Sequence, residues 1–125
     1  MYKEFSINTN ELKNTLNAIQ GICQKRTISD DTSNVTLYFY NNDNLIKASD
    51  NETSIEIYIN PIFKEKLNEK IEITLNAKRF FDIIKDINDE EINIKVYPEQ
   101  IIIFSYSYKI NLSLSLKKDY QFNSY

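Results

Sequence analysis

Apolar residues recur along the chain with two different periods. Over 2–7 (YKEFSI) they alternate, with Phe5 and Ile7 on one side, which is the two-residue repeat of a strand. From Leu12 the spacing lengthens. Leu12, Leu16, Ile19 and Cys23 follow at intervals of four, three and four, the stripe of an amphipathic helix. Asn8 stands ahead of that stripe with Glu11 three residues on, a capping-box arrangement that predicts where the helix begins. The opposite face carries Lys13, Asn14, Asn17, Gln20 and Gln24; it is polar and free of acid after Glu11. Gly21 marks a weakening or an end of this helix.

Alternation returns in Val35–Tyr40, Leu45–Ser49 and Ile55–Ile59, which predict three strands. They are separated by Asn41-Asn42-Asp43-Asn44 and by Asp50-Asn51-Glu52, whose short polar side chains favour turns. Asn60-Pro61 ends the third strand, and 61–69 reads as a charged connection with room for a short helical turn. The order of elements then repeats. Ile71–Leu75 is a strand, Asn76 a cap, and Phe80, Phe81, Ile83, Ile84 and Ile87 form a second apolar helical face. Asn88-Asp89-Glu90 breaks that helix. Ile92–Tyr97, Ile101–Ser107 and Lys109–Leu116 are three further strands, the first two joined at Pro98-Glu99-Gln100. The pattern is strand, capped helix and three strands, written twice. It predicts a single α+β domain over 1–125 with internal halves at about 1–60 and 70–120. The expected architecture is a pair of β-α-β-β-β units, with two helices packed side by side on antiparallel sheet. If pseudo-symmetry relates the halves, both polar helix faces turn the same way.

Composition supports strands. Tyr and Phe supply 9 and 7 residues and Ile supplies 20, whereas there are one Gly and two Pro; β-branched and aromatic types favour sheet, and long loops have little raw material. There is no His, and the single Cys23 excludes an internal disulfide. No signal peptide and no run of 18 apolar residues appears, so a soluble, cytoplasmic protein without membrane contact is expected. Net charge is −3, yet its placement is uneven. Residues 10–26 carry Lys13, Lys25 and Arg26 against Glu11, and 76–88 carry Lys78, Arg79 and Lys85 against Asp82 and Asp86. The predicted helices are therefore basic on an acidic body, an electrostatic footprint that could face a polyanion.

At this point the sequence resembles the bacterial sliding clamps, the β subunit of DNA polymerase III, and specifically their N-terminal domain. Phe5-Ser6-Ile7 leading to Glu11-Leu12 and Leu16 through Gly21 is similar to that domain's opening strand and helix. Gln24-Lys25-Arg26-Thr27 resembles the basic turn that follows, Ser33-Asn34-Val35 the start of the next strand, and Lys47-Ala48-Ser49-Asp50 the close of the third. The strongest match is Asn76-Ala77-Lys78-Arg79-Phe80-Phe81-Asp82-Ile83-Ile84-Lys85. Leu112-Ser113 through Asp119-Tyr120 resembles the closing strand and exit. There are departures as well. Ser29-Asp30-Asp31-Thr32 stands where the family has a proline-rich turn, Asn76 replaces a proline, and prolines are missing at Leu116 and Gln121.

The resemblance implies the DNA-clamp (processivity) fold. In the family, three such domains per protomer and two protomers close a ring around duplex DNA, with helices lining the hole. It implies no catalysis and no cofactor or metal, and a role in tethering the replicative polymerase. DNA polymerase and clamp loader bind through domains absent from this chain. Carried over, the DNA-backbone candidates are Arg26, Lys78, Lys25, Lys85, Arg79 and Lys13. Ile83, Ile87, Lys109, Ile110 and Leu112 are the candidates for the interface with a second protomer.

The residues alone leave plainer readings open. Lys25 and Arg26 at a helix end complement its dipole. Lys78 and Asp82 are spaced for a surface ion pair, and Phe80, Phe81, Ile83 and Ile84 of the second helix make a wide core face. Cys23 reads as a small core residue, and Asp89-Glu90-Glu91 as a solvated turn rather than a metal site. An enzyme has little support, because no acid–base pair or triad can be assembled from scattered carboxylates, no His and one Cys; Asp50 and Glu52 read as a turn. A stand-alone α+β protein-interaction module without a DNA role fits the composition as well.

Overall fold

The computed structural model describes residues 2–27, 34–40, 42–49 and 54–114, with backbone only over 22–27. The turns expected at 29–32 and 50–52, the chain exit past Leu114 and the Cys23 side chain lie outside the described residues. The elements run β1 (Lys3–Asn8), α1 (Thr9–Thr27), β2 (Asn34–Tyr40), β3 (Asp43–Ser49), β4 (Ser54–Tyr58) and β5 (Ile62–Phe63). A second series follows: β6 (Ile71–Asn76), α2 (Ala77–Lys85), β7 (Glu91–Val96), β8 (Gln100–Phe104) and β9 (Lys109–Ser113). The expected α+β duplication is present, in two antiparallel sheets and two helices.

The halves are interlocked rather than stacked. One sheet has the strand order β5-β1-β7-β8-β9 and the other β4-β3-β2-β6. Each half thus lends its opening strand to the other half's three-stranded meander. β1 pairs with β7 through Phe5↔Ile94 and Ile7↔Ile92, and β6 pairs with β2 through Val35↔Leu75 and Leu37↔Ile73. Those paired residues are all buried, so the strict alternation seen in the sequence fixes both register and facing.

Between the sheets and helices lies one core. Leu12, Leu16 and Ile19 of α1 and Phe80 and Ile84 of α2 meet Phe5, Leu37, Phe39, Ile46, Ile94, Ile101 and Ile103 from the strands. α1 packs on β1 and β3, α2 packs on β6 and β2, and the two helices touch each other. That is the side-by-side arrangement the duplication implied.

Three local expectations change. The 61–69 segment holds no helical turn; Ile62–Phe63 is a short strand added to the edge of β1. Its reason is Phe63, whose ring lies 5.2 Å from Phe5 and 5.4 Å from Phe39, while those two stand 4.9 Å apart. Such tilted aromatic contacts outweigh a weak local helical preference. Gly21 does not end α1, which continues to Thr27; an exposed glycine costs about 1 kcal/mol against alanine there, too little to stop a helix anchored by its apolar stripe. Ile87 is not helical. It follows the end of α2 and turns back into the core, fully buried, its N–H donating to the Ile84 carbonyl at 3.1 Å.

Candidate nucleic-acid interface

Both helices start from the same device. The Asn8 side chain accepts the Glu11 amide at 3.0 Å, and the Asn76 side chain accepts the Arg79 amide at 2.9 Å. Each satisfies one of the amides that a helix start leaves unpaired. Beyond the cap the two helices differ. The Glu11 carboxylate does not return to Asn8 as a capping box would have it. It accepts both the Asn60 amide at 3.0 Å and the Asn60 side-chain NH2 at 2.8 Å, tying α1 to the chain leaving β4.

On α2 the first turn holds Lys78 and Arg79 and no acid. Cations there oppose the positive end of the helix dipole, at a cost of roughly 0.3–1 kcal/mol each when exposed. Helix stability therefore does not explain them. Both are exposed, as is Lys85 in the last turn. The Asp82 carboxylate lies between the two lysines, with one oxygen 3.2 Å from Lys78 Nζ and the other 3.5 Å from Lys85 Nζ. The hydrogen bond from Lys78, with the charges of both lysines adding to it, holds the Asp82 carboxyl below the usual carboxylate range against the opposing effect of desolvation. Arg79 makes no ion pair among the described residues. The surface-pair reading of Lys78 and Asp82 is thus present in the structure, and Lys85 shares it.

α1 contributes Lys13, half-buried, beside the exposed Asn14 and Asn17. Lys25 and Arg26 lie on its last turns, where the backbone is helical and the side chains are outside the described residues. The structure therefore brings Lys78, Arg79 and Lys85 onto one short helix and sets α1 against it.

The five interface candidates divide. Ile83 on α2 and Ile110 on β9 are half-buried, and Lys109 is exposed; β9 is an edge strand of its sheet. Ile87 and Leu112, at 0% and 6% exposure, belong to the chain's own core and present almost no surface. Leu112 faces inward because it pairs across the sheet with the fully buried Ile101, and Ile87 because the chain after α2 turns back into the core.

Sequence reasoning missed what steadies that edge. Asp89 is not a merely solvated turn residue. Its carboxylate accepts the Ser105 hydroxyl at 2.6 Å, the Ser107 amide at 2.8 Å and the Ser107 hydroxyl at 3.2 Å. The Tyr108 hydroxyl donates to the Asp86 carbonyl at 3.0 Å. The Ser105 and Ser107 bonds, led by that from the Ser105 hydroxyl, lower the Asp89 pKa, and with the Tyr108 bond they tie the β8–β9 turn to the segment after α2. The only sequence signal was two serines flanking Tyr106, which is 98% exposed at the turn.

Known proteins similar to this chain share the arrangement. The profile of the DNA polymerase III beta subunit, N-terminal domain, matches residues 3–123. Two beta sliding clamps of Helicobacter pylori strains are 29% and 27% identical over 100 residues, 80% of this chain. The chain spans 26% of the length of each. Among solved structures, a putative DNA polymerase III beta subunit from Eubacterium rectale superposes with a TM-score of 0.76 at 20% identity, over 94% of this chain and 31% of that one. A Helicobacter pylori beta clamp bound to a DNA ligase peptide gives 0.69 at 24% identity, over 89% and 30%. The profile match covers nearly the whole chain, and the interlocked β-α-β-β-β halves agree with it: this chain belongs to the family of the DNA polymerase III beta subunit, in which it corresponds to the N-terminal domain.

Proposed function

We propose that the chain is the DNA-facing and ring-closing share of a sliding clamp, a non-catalytic cytoplasmic tether that keeps a replicative polymerase on duplex DNA. The observation that carries this reading is the first turn of α2. Two cations stand there against the helix dipole, exposed, in a helix that packs beside the basic α1. A row of phosphates supplies the negative charge that the helix itself lacks at that end, and it binds without regard to base sequence. Lys78, Arg79 and Lys85, with Lys13, Lys25 and Arg26 from α1, are the contacts in this reading. Ile83, Lys109 and Ile110 provide the surface for a second protomer. In this reading polymerase and clamp loader engage domains outside this chain; a Helicobacter pylori clamp bound to a DNA ligase peptide supports protein partners for the family.

One measurement tests the DNA role. Binding of short duplexes of unrelated sequence is followed by amide chemical shifts at low ionic strength. The expected result is weak binding of equal strength for each sequence, with shifts centred on 76–86 and lost as salt rises. Arg79→Ala should weaken it several-fold, on the scale of about 1 kcal/mol for one lost phosphate contact. Shifts confined to another face would remove the reading.

A further inference from the structure

Asp82 sits between two cations of α2, in exposed pairs that add little to the stability of the helix. It is exposed enough to meet solvent, with 44% of its side chain accessible, yet it touches the cations on both sides of it along the helix. With Lys78 it is placed i,i+4 with the cation first, the less stabilising order for such a pair. The two ion pairs are between exposed side chains, so each is weak and readily exchanged. Asp82 therefore holds two of the three cations of α2 in a bond that a phosphate oxygen could replace, while Arg79 has no ion pair among the described residues.

We infer that Asp82 is a built-in competitor for the nucleic-acid backbone: it occupies Lys78 and Lys85 between phosphate contacts, and so sets how tightly α2 grips duplex DNA. The inference rests on the proposed DNA role of this helix and concerns its regulation. When DNA arrives, each lysine exchanges one carboxylate oxygen for a phosphate oxygen, so little net charge pairing is gained. The freed carboxylate then takes up a cation from solution. Affinity and its salt dependence both fall below what the lysines alone would give, because backbone binding is driven by release of cations. A contact of this kind suits a protein that must move along DNA, since every bond broken in a step is replaced at once by one within the helix.

The experiment is a double-mutant cycle on the whole chain, read by amide-shift titration with a short duplex at several salt concentrations. Asp82→Asn keeps size and helix position while releasing both lysines. It should tighten binding about two- to five-fold, the scale of two exposed ion pairs, and steepen the salt dependence by roughly one cation. In a Lys78→Gln, Lys85→Gln background the same substitution should leave the salt dependence unchanged and lose most of its effect on affinity. An equal gain in both backgrounds would show that Asp82 acts only as a nearby negative charge, and would overturn the inference while leaving the DNA role intact. Unchanged affinity in Asp82→Asn overturns it too. The absence of any shift at 76–86, in wild type and variant alike, removes the DNA role itself and the inference with it.

Discussion

Helices α1 and α2 start from the same asparagine cap, closed by the amide of the residue three further on, at 3.0 Å in one and 2.9 Å in the other. They then use that third position in opposite ways. In α1 it is Glu11, whose carboxylate turns to the chain's own Asn60 and ties the helix to the segment leaving β4. In α2 it is Arg79, exposed and without an ion pair among the described residues. Duplication has kept the part of each unit that folding requires. It has freed the part that folding does not, so the same backbone position is structural glue in one half and available for a ligand in the other.

The comparison can be broken at four levels, in order of expected effect. The largest test is of the shared part. Leu16→Ala in α1 and Phe80→Ala in α2 each empty a fully packed site and should destabilise the chain by roughly 2–5 and 3–5 kcal/mol in urea unfolding. A much smaller loss for Phe80 would mean that α2 is only draped on the sheet. Next come the caps. Asn8→Ala and Asn76→Ala should each cost about 1 kcal/mol by the same measurement, equal to within a factor of two. Clearly unequal losses would deny that the two starts are one device.

The third test addresses the divergent position. Glu11→Ala removes the acceptor of two hydrogen bonds and should lower stability by roughly 1 kcal/mol, with faster hydrogen exchange at the Asn60 amide. Arg79→Ala should stay within about 0.5 kcal/mol of wild type, as an exposed substitution does. Reversal of that order would undo the contrast. The smallest effect lies at the β8–β9 turn. The Asp89 pKa is depressed in the folded chain, so its contribution to stability is present above the unfolded value of 3.8 and fades as pH falls through the folded value. Asp89→Asn should therefore flatten the decline in thermal stability below about pH 4. An unaltered acid limb would show that the Ser105 and Ser107 bonds do not outlast exchange with water.

Much of this molecule could be read from residue order because its strands alternate strictly. Phe5, Ile7, Leu37, Ile94 and Ile103 announce their faces, and Asn8 and Asn76 announce two helix starts. What was not legible depends on partners far away in the chain. The strand at Ile62–Phe63 exists because Phe63 completes a cluster with Phe5 and Phe39, which no local pattern records. Ile87 and Leu112 look like surface candidates by family position but are claimed by the core. Of the site, the basic residues were legible one by one. Their pairing with Asp82 was half visible in the spacing, and the Asp89 network was hidden, since Ser105 and Ser107 carry no charge or period that would mark them.

The exchange of opening strands has a consequence for how the chain comes to be folded. β1 is the first strand made, but its partner β7 lies most of the chain away, and β7 in turn carries β8 and β9. During synthesis, at roughly 5–20 residues per second, β1 and α1 must wait some seconds before the rest of their sheet emerges. The second sheet can close sooner, as β6 follows β2, β3 and β4 with only β5 and a short connection between. Such non-local pairing makes folding slow for the chain's size. It also means that residues 1–60 made alone would lack β7, and residues 70–120 made alone would lack β2. Neither fragment should hold its shape.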